Sequence, residues 1–156
     1  MIFIMLPLTL MAADLAIKYH INRNRGRLEG KVLPGGIARL HLMHNRGFAG
    51  NRLEDHPKLV IGVSSASLLL FAAAFISILR MRGQVILKAC LAAALGGALG
   101  NTVERLAKGS VTDYLQIFRR KRTGKYVYNF ADICIFIGSA AGIAILVKDL
   151  LSELKK

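Results

Sequence analysis

Apolar residues in this chain fall in four long blocks, separated by two long polar stretches and one short one. Leu59–Leu79 is 21 residues without a charge. That length crosses a hydrocarbon core, which takes about 20 helical residues. Val85–Val103, broken by Lys88, and Phe130–Val147, broken only by Asp132, approach it. The first block, Ile2–Ile21, carries Pro7, Asp14 and Lys18. A cleavable leader would place basic charge before its apolar run and small residues at a cut site. Here Lys18 follows the run, so the block is expected to be a retained helix. The pattern predicts an α-helical membrane protein with four transmembrane helices.

The two long polar stretches read differently. In Asn22–Pro57 the segment IARLHLMHN loosely alternates apolar and polar residues among several glycines, the period of a half-buried strand. In Leu106–Tyr128 the segments VTDYLQIF and KYVYNF flank the basic run Arg119–Arg122, which fits two short strands around a turn. A small β-rich segment on the membrane surface is expected. At 156 residues, 54% of them apolar, the chain suits a single membrane-embedded domain over residues 1–156.

Charge changes the picture in one respect. The net charge of +13 could suit nucleic acid, but a mean hydropathy of +0.45 points to membrane phospholipids with anionic head groups and to no nucleic-acid partner. The two polar stretches hold 14 Lys and Arg residues, from Arg23 to Arg52 and from Arg105 to Lys125, against five at the other helix ends. The positive-inside rule would put these stretches in the cytoplasm. Cys90 and Cys134 lie inside apolar blocks and read as packing residues. No His or Cys pair has metal-ligand spacing, and His20, His41, His44 and His56 read as surface residues.

Ionisable groups at membrane depth are costly and mark functional sites. Asp132 opens the last apolar block, and Asp113 ends GNTVERLAKGSVTD just beyond the third. Two carboxylates brought together cannot both ionise easily and share one proton. Such a pair can activate water and polarise a carbonyl without metal or cofactor; a transporter could use it as a proton relay. Asp14 and Lys18, spaced i, i+4, can form an ion pair near the interface, with Lys18 snorkelling. Gly96 and Gly100 give the small-xxx-small spacing of close helix packing. Asn101, Glu104 and Arg105 fall on one helix face, where Asn101 could aim a carboxylate. Asn129 is placed to cap the last helix.

These segments resemble the lipoprotein signal peptidases (signal peptidase II). The family's third-helix pattern G-N-x-x-D-R-x-x-x-G-x-V-x-D is met by GNTVERLAKGSVTD, and its fourth-helix pattern F-N-x-A-D by YNFAD. Asn45 and Gly47 match N-x-G, and Asp14 and Lys18 match D-x-x-x-K. The resemblance implies an aspartyl endopeptidase of the bacterial cell (inner) membrane, a monomer with cytoplasmic termini. It would remove signal peptides from prolipoproteins before a diacylglyceryl-modified cysteine. Asp113 and Asp132 would be the catalytic pair, with Asn101, Arg105 and Asn129 lining the site and Asn45 and Gly47 shaping the substrate pocket. Two positions depart from the pattern. Glu104 replaces an aspartate, keeping the charge, so restoring aspartate is expected to be tolerated. Phe48 follows Gly47 directly, where the family has two small residues first, which points to altered substrate preference. A non-catalytic paralogue that binds lipidated peptides is the alternative.

Overall fold

The computed structural model describes residues 2–119 and 122–155. Its elements, in chain order, are α1 (Ile2–Arg23), the short α2 (Arg25–Leu28), β1 (Ala38–Asn45), α3 (Pro57–Leu79), α4 (Val85–Lys108), β2 (Val111–Arg119), β3 (Arg122–Tyr128) and α5 (Phe130–Glu153). The four long helices coincide with the four apolar blocks, and each is long and apolar enough to cross a membrane. Leu69, Leu70, Phe136 and Ile137 point outward and are exposed, as a lipid-facing surface requires.

Helix α4 packs against α1, α3 and α5. Its glycines explain how. A Cβ on Gly96 would lie 2.9 Å from the Pro7 carbonyl, and one on Gly100 2.6 Å from Asp14 Oδ2, both on α1. On Gly97 it would lie 2.4 Å from the Ala131 carbonyl of α5. In lipid, where burying apolar surface gives helices little reason to associate, this closeness supplies the packing. Cys134 is buried and Cys90 partly so, both as free thiols. Phe75, Ile78, Leu87, Ala92 and Leu95 form an apolar core between α3 and α4.

Helices end later than the apolar pattern suggests. Helix α4 runs to Lys108 rather than Val103, and α5 to Glu153 rather than Val147. The last turns of α4 are polar yet buried: Glu104 and Arg105 find partners inside the bundle. Polarity there reflects an internal network and not a helix end. Gly109, at φ +70°, then caps α4, its N–H donating to the Arg105 carbonyl at 2.8 Å. That left-handed residue turns the chain straight into β2.

The strands expected in the two polar stretches belong to one antiparallel sheet, ordered β1-β2-β3. In its register Met43 faces Asp113 and Asn45 faces Val111, so Asn45 and Asp113 are diagonal neighbours. A bulge interrupts β1 between Leu40 and Met43. Glu29 fills it: Oε2 accepts the Leu42 N–H at 2.9 Å and Oε1 lies 2.7 Å from His41 Nδ1. The Leu42 N–H bond holds the Glu29 carboxyl below its ordinary value. Of the basic run Arg119–Arg122, Arg120 and Lys121 lie outside the described residues. The sheet sits where the C-terminal ends of α1 and α4 meet the N-terminal ends of α3 and α5.

Candidate active site

At that junction the chain brings its buried polar residues together. Asp113, on β2, is 2% exposed. Its Oδ2 accepts from Asn45 Nδ2 at 2.9 Å and its Oδ1 from Asn129 Nδ2 at 2.6 Å. Asp132 lies in the first turn of α5. Its Oδ1 accepts from Asn101 Nδ2 at 2.8 Å and its Oδ2 from the Asn129 N–H at 3.0 Å. Asn129 is therefore more than the expected helix cap. Its Oδ1 accepts the Asp132 N–H at 2.9 Å, completing a capping box, while its amide nitrogen holds Asp113. One asparagine thus bridges the two carboxylates, its side-chain amide holding Asp113 and its backbone N–H holding Asp132. Burial first, and then the neighbouring Asp132 charge, push the Asp113 carboxyl up to about 7.

Behind the aspartates lies a second set of charges. Lys18 Nζ is 2.7 Å from Asp14 Oδ2, 3.3 Å from Glu104 Oε2, and donates to Asn101 Oδ1 at 2.7 Å. Lys18 is 1% exposed and Asp14 0%, so the pair does not snorkel to an interface as expected. It points inward because Gly100 leaves room for the Asp14 carboxylate beside α4. Asp14 Oδ1 also accepts the Ala131 N–H at 3.0 Å, tying α1 to the start of α5. Tyr114 makes a second tie, its hydroxyl accepting the Phe130 N–H at 3.0 Å. Burial raises the Tyr114 hydroxyl above its ordinary range.

Asn101, Glu104 and Arg105 do not act on one face together. Asn101 aims Asp132 and Glu104 turns to α1 and β2. Arg105 turns the other way, to α3 and the loop after β1. Its Nη1 donates to Ser64 Oγ at 2.9 Å and its Nη2 to the Gly47 carbonyl at 3.0 Å. The guanidinium lies 5.6 Å from the Phe48 ring centroid, within cation–π range. No hydrogen bond joins Arg105 to either aspartate among the described residues; it anchors the loop. Gly47 is required there, since a Cβ would meet the Arg52 carbonyl at 2.0 Å. Asn45 links loop to carboxylate: beyond Asp113, its Nδ2 donates to the Phe48 carbonyl at 3.1 Å and its Oδ1 accepts the Gly47 N–H at 3.0 Å.

A match to the family model described as signal peptidase (SPase) II extends over residues 6–148. The chain belongs to the signal peptidase II family. It is 33% identical to the lipoprotein signal peptidase of Moorella thermoacetica over 87% of this chain and 86% of that one. To the lipoprotein signal peptidase of Symbiobacterium thermophilum it is 29% identical, over 88% and 89%. Its fold matches a bacterial membrane enzyme solved by the in meso method at 2.3 Å, with a TM-score of 0.76, 20% identity, and 95% and 88% of the two chains covered. Membership of signal peptidase II makes the protein a peptidase, and its four apolar helices make it a multi-pass bacterial membrane protein.

Every residue expected at the site is brought to this junction. Three contributors carried no signal in the sequence: Thr112, whose N–H and hydroxyl both donate to Glu104, Ser64 and Tyr114. Thr112 stands at an open position of the third-helix motif, and Ser64 lies within an apolar block. Among the described residues no three His, Cys, Asp or Glu side chains gather as a metal site.

Proposed function

We propose that this signal peptidase II is an aspartyl endopeptidase that removes the signal peptide of diacylglyceryl-modified prolipoproteins, with Asp113 and Asp132 as its catalytic pair. The observation that carries this reading is the pair itself: a buried Asp113 and a half-buried Asp132, bridged by Asn129 and each held by a separate side-chain amide. The naming of its relatives as lipoprotein signal peptidases supports the substrate class.

In this mechanism the pair holds one proton. Asp113, pushed up to about 7, carries it; Asp132 stays ionised, with the Lys18 charge relayed to it through the Asn101 amide. Asp132 takes a proton from water as the water oxygen attacks the scissile carbonyl. Asp113 donates a hydrogen bond to that carbonyl oxygen as charge builds there. The tetrahedral intermediate collapses, the C–N bond breaks, and the proton on Asp132 passes to the leaving amine. The pair again holds one proton, and the products are a carboxylic acid and an amine. The loop fixed by Asn45, Gly47 and Arg105 shapes the pocket for the peptide. We further propose that the protein works as a monomeric unit in the cell (inner) membrane, with both termini in the cytoplasm and the sheet on the outer face.

The test is cleavage of a diacylglyceryl-modified prolipoprotein by purified protein in detergent, read by gel shift. Wild-type protein should process it, and the unlipidated precursor should be left intact. Tight binding of the lipidated peptide without cleavage would replace the peptidase reading with that of a lipopeptide-binding paralogue.

A further inference from the structure

We infer that Glu104, acting through Thr112, is a positioning residue for Asp113, so that helix α4 sets the spacing of the two aspartates. This rests on the aspartyl peptidase reading above.

Glu104 Oε2 accepts the Thr112 N–H at 3.0 Å, and Oε1 accepts the Thr112 hydroxyl at 2.7 Å. Both residues are buried. Thr112 Oγ1 also accepts from Asn22 Nδ2 at 3.1 Å, which commits the hydroxyl proton to Glu104. The clamp therefore holds backbone and side chain of the residue immediately before Asp113. A turn earlier on α4, Asn101 holds Asp132. Three residues of helix separate the two arms, about 4.5 Å along the axis, and Lys18 Nζ touches both. Each aspartate thus refers back to the same rigid element, though one lies on a strand and the other on another helix.

The clamp depends on the longer side chain. Where the family pattern has aspartate, this chain has one more carbon. Aspartate at 104 would withdraw the carboxylate by about 1.5 Å, taking both Thr112 donors out of hydrogen-bonding distance. This reverses the expectation that aspartate is tolerated there. A misplacement of about 1 Å at a reacting group costs on the order of 100-fold in rate.

The experiment compares wild type, Glu104→Asp, Thr112→Val and Thr112→Ser as full-length proteins in detergent, measuring kcat, KM and thermal midpoint. Valine keeps the shape of threonine and the backbone N–H bond to Glu104 but lacks the hydroxyl that donates to Oε1; serine keeps both. Thr112→Val and Glu104→Asp should each lose about 10- to 100-fold in kcat with KM within about twofold, since the clamp is a bond network away from the peptide. Thr112→Ser should recover kcat to within about threefold of wild type. A role in stability alone would lower the thermal midpoint while sparing kcat in the folded fraction, and would overturn the inference. So would an unchanged kcat in Thr112→Val, or a rise in KM alone. Should Thr112→Val not fold, Glu104→Asp decides, and wild-type kcat there overturns the inference. Failure of wild-type protein to cleave is a different result: it removes the peptidase reading and this inference with it.

Discussion

Lys18 Nζ donates to Asn101 Oδ1 at 2.7 Å, across the contact between α1 and α4. The bond fixes which way the Asn101 amide faces, so that its nitrogen reaches Asp132. Lys18 is also the cation between two buried carboxylates, Asp14 and Glu104. Removing Lys18 leaves Asp14 a buried charge without its cation, while Glu104 keeps Lys108 Nζ at 2.9 Å; breaking such a buried pair costs about 3–5 kcal/mol. Lys18→Met should therefore lower the thermal midpoint sharply. Asn101→Ala leaves the charges paired and should cost the fold less, about 1–3 kcal/mol, while reducing kcat. Equal thermal midpoints for Lys18→Met and wild type would mean that the lysine does not hold this network.

Asp113→Asn and Asp132→Asn should each abolish measurable cleavage while the protein stays folded. An amide cannot accept the proton of the attacking water, nor carry the shared proton to a carbonyl. General acid–base catalysis alone contributes about 10²–10⁴-fold. The check is single-turnover cleavage alongside a thermal melt. Near-normal cleavage by either variant would sink the catalytic assignment.

The raised Asp113 carboxyl makes a pH prediction with a definite sign. The native chain holds this proton up to about pH 7, whereas an unfolded aspartate releases it near 3.8. In that window the folded state binds more protons, so stability from this group is full below 3.8 and is lost as pH rises to about 7. Melting wild type and Asp113→Asn between pH 4 and 8 tests it. The wild type should lose stability relative to the variant across this range, since the amide does not titrate. Parallel curves would mean that Asp113 titrates as an ordinary carboxyl. Cleavage should also decline above about pH 7, as the proton leaves Asp113.

Much of this arrangement was legible in the chain, for reasons that differ by residue. The four helices follow from apolar length alone, because a bilayer enforces it. Asp113 and Asp132 stood out because carboxylates at that depth need a purpose. The pairing of β1 with β2 was not legible, since alternation marks a strand without naming its partner, and so the Asn45–Asp113 diagonal was hidden. Nor was the divergence of Glu104 and Arg105. Neighbours on a helix point about 100° apart, and only the packing of α1 on one side and α3 on the other gives each a separate task. Thr112 and Ser64 were silent because hydroxyl residues are common in such segments, and only a buried carboxylate and guanidinium reveal their use.

Arg105 makes the next prediction. Its planar fork serves the Ser64 hydroxyl and the Gly47 carbonyl at once while lying against Phe48. A lysine ammonium is a point charge without that geometry. Losing a charge-assisted bond in a buried setting costs about 1.5–3 kcal/mol, so Arg105→Lys should raise KM about 10- to 100-fold through a loosened loop, with a smaller change in kcat. Steady-state kinetics on the lipidated substrate separates the two. A fall in kcat with KM unchanged would move Arg105 from the loop to the chemistry.

Topology is where two physical arguments collide. Counting Lys and Arg, 14 against five, favours a cytoplasmic sheet. Under the proposed function a lipidated precursor arrives from the outer face, and the sheet would have to lie there. Arg23, Arg25, Arg27 and Lys31 are exposed around α2, and Val32 and Ile37 beside them are exposed too. Basic groups interleaved with aliphatics suit an anionic head-group layer on either face, so the charge excess need not dictate the side. A cysteine at Arg27 should therefore be labelled by a membrane-impermeant thiol reagent in intact spheroplasts. Cys134, buried on α5, should stay unlabelled. Labelling at position 27 only after the membrane is broken would put the sheet and both aspartates on the cytoplasmic side. Exported precursors could not then reach them, and removal of their signal peptides would have to be given up as the function.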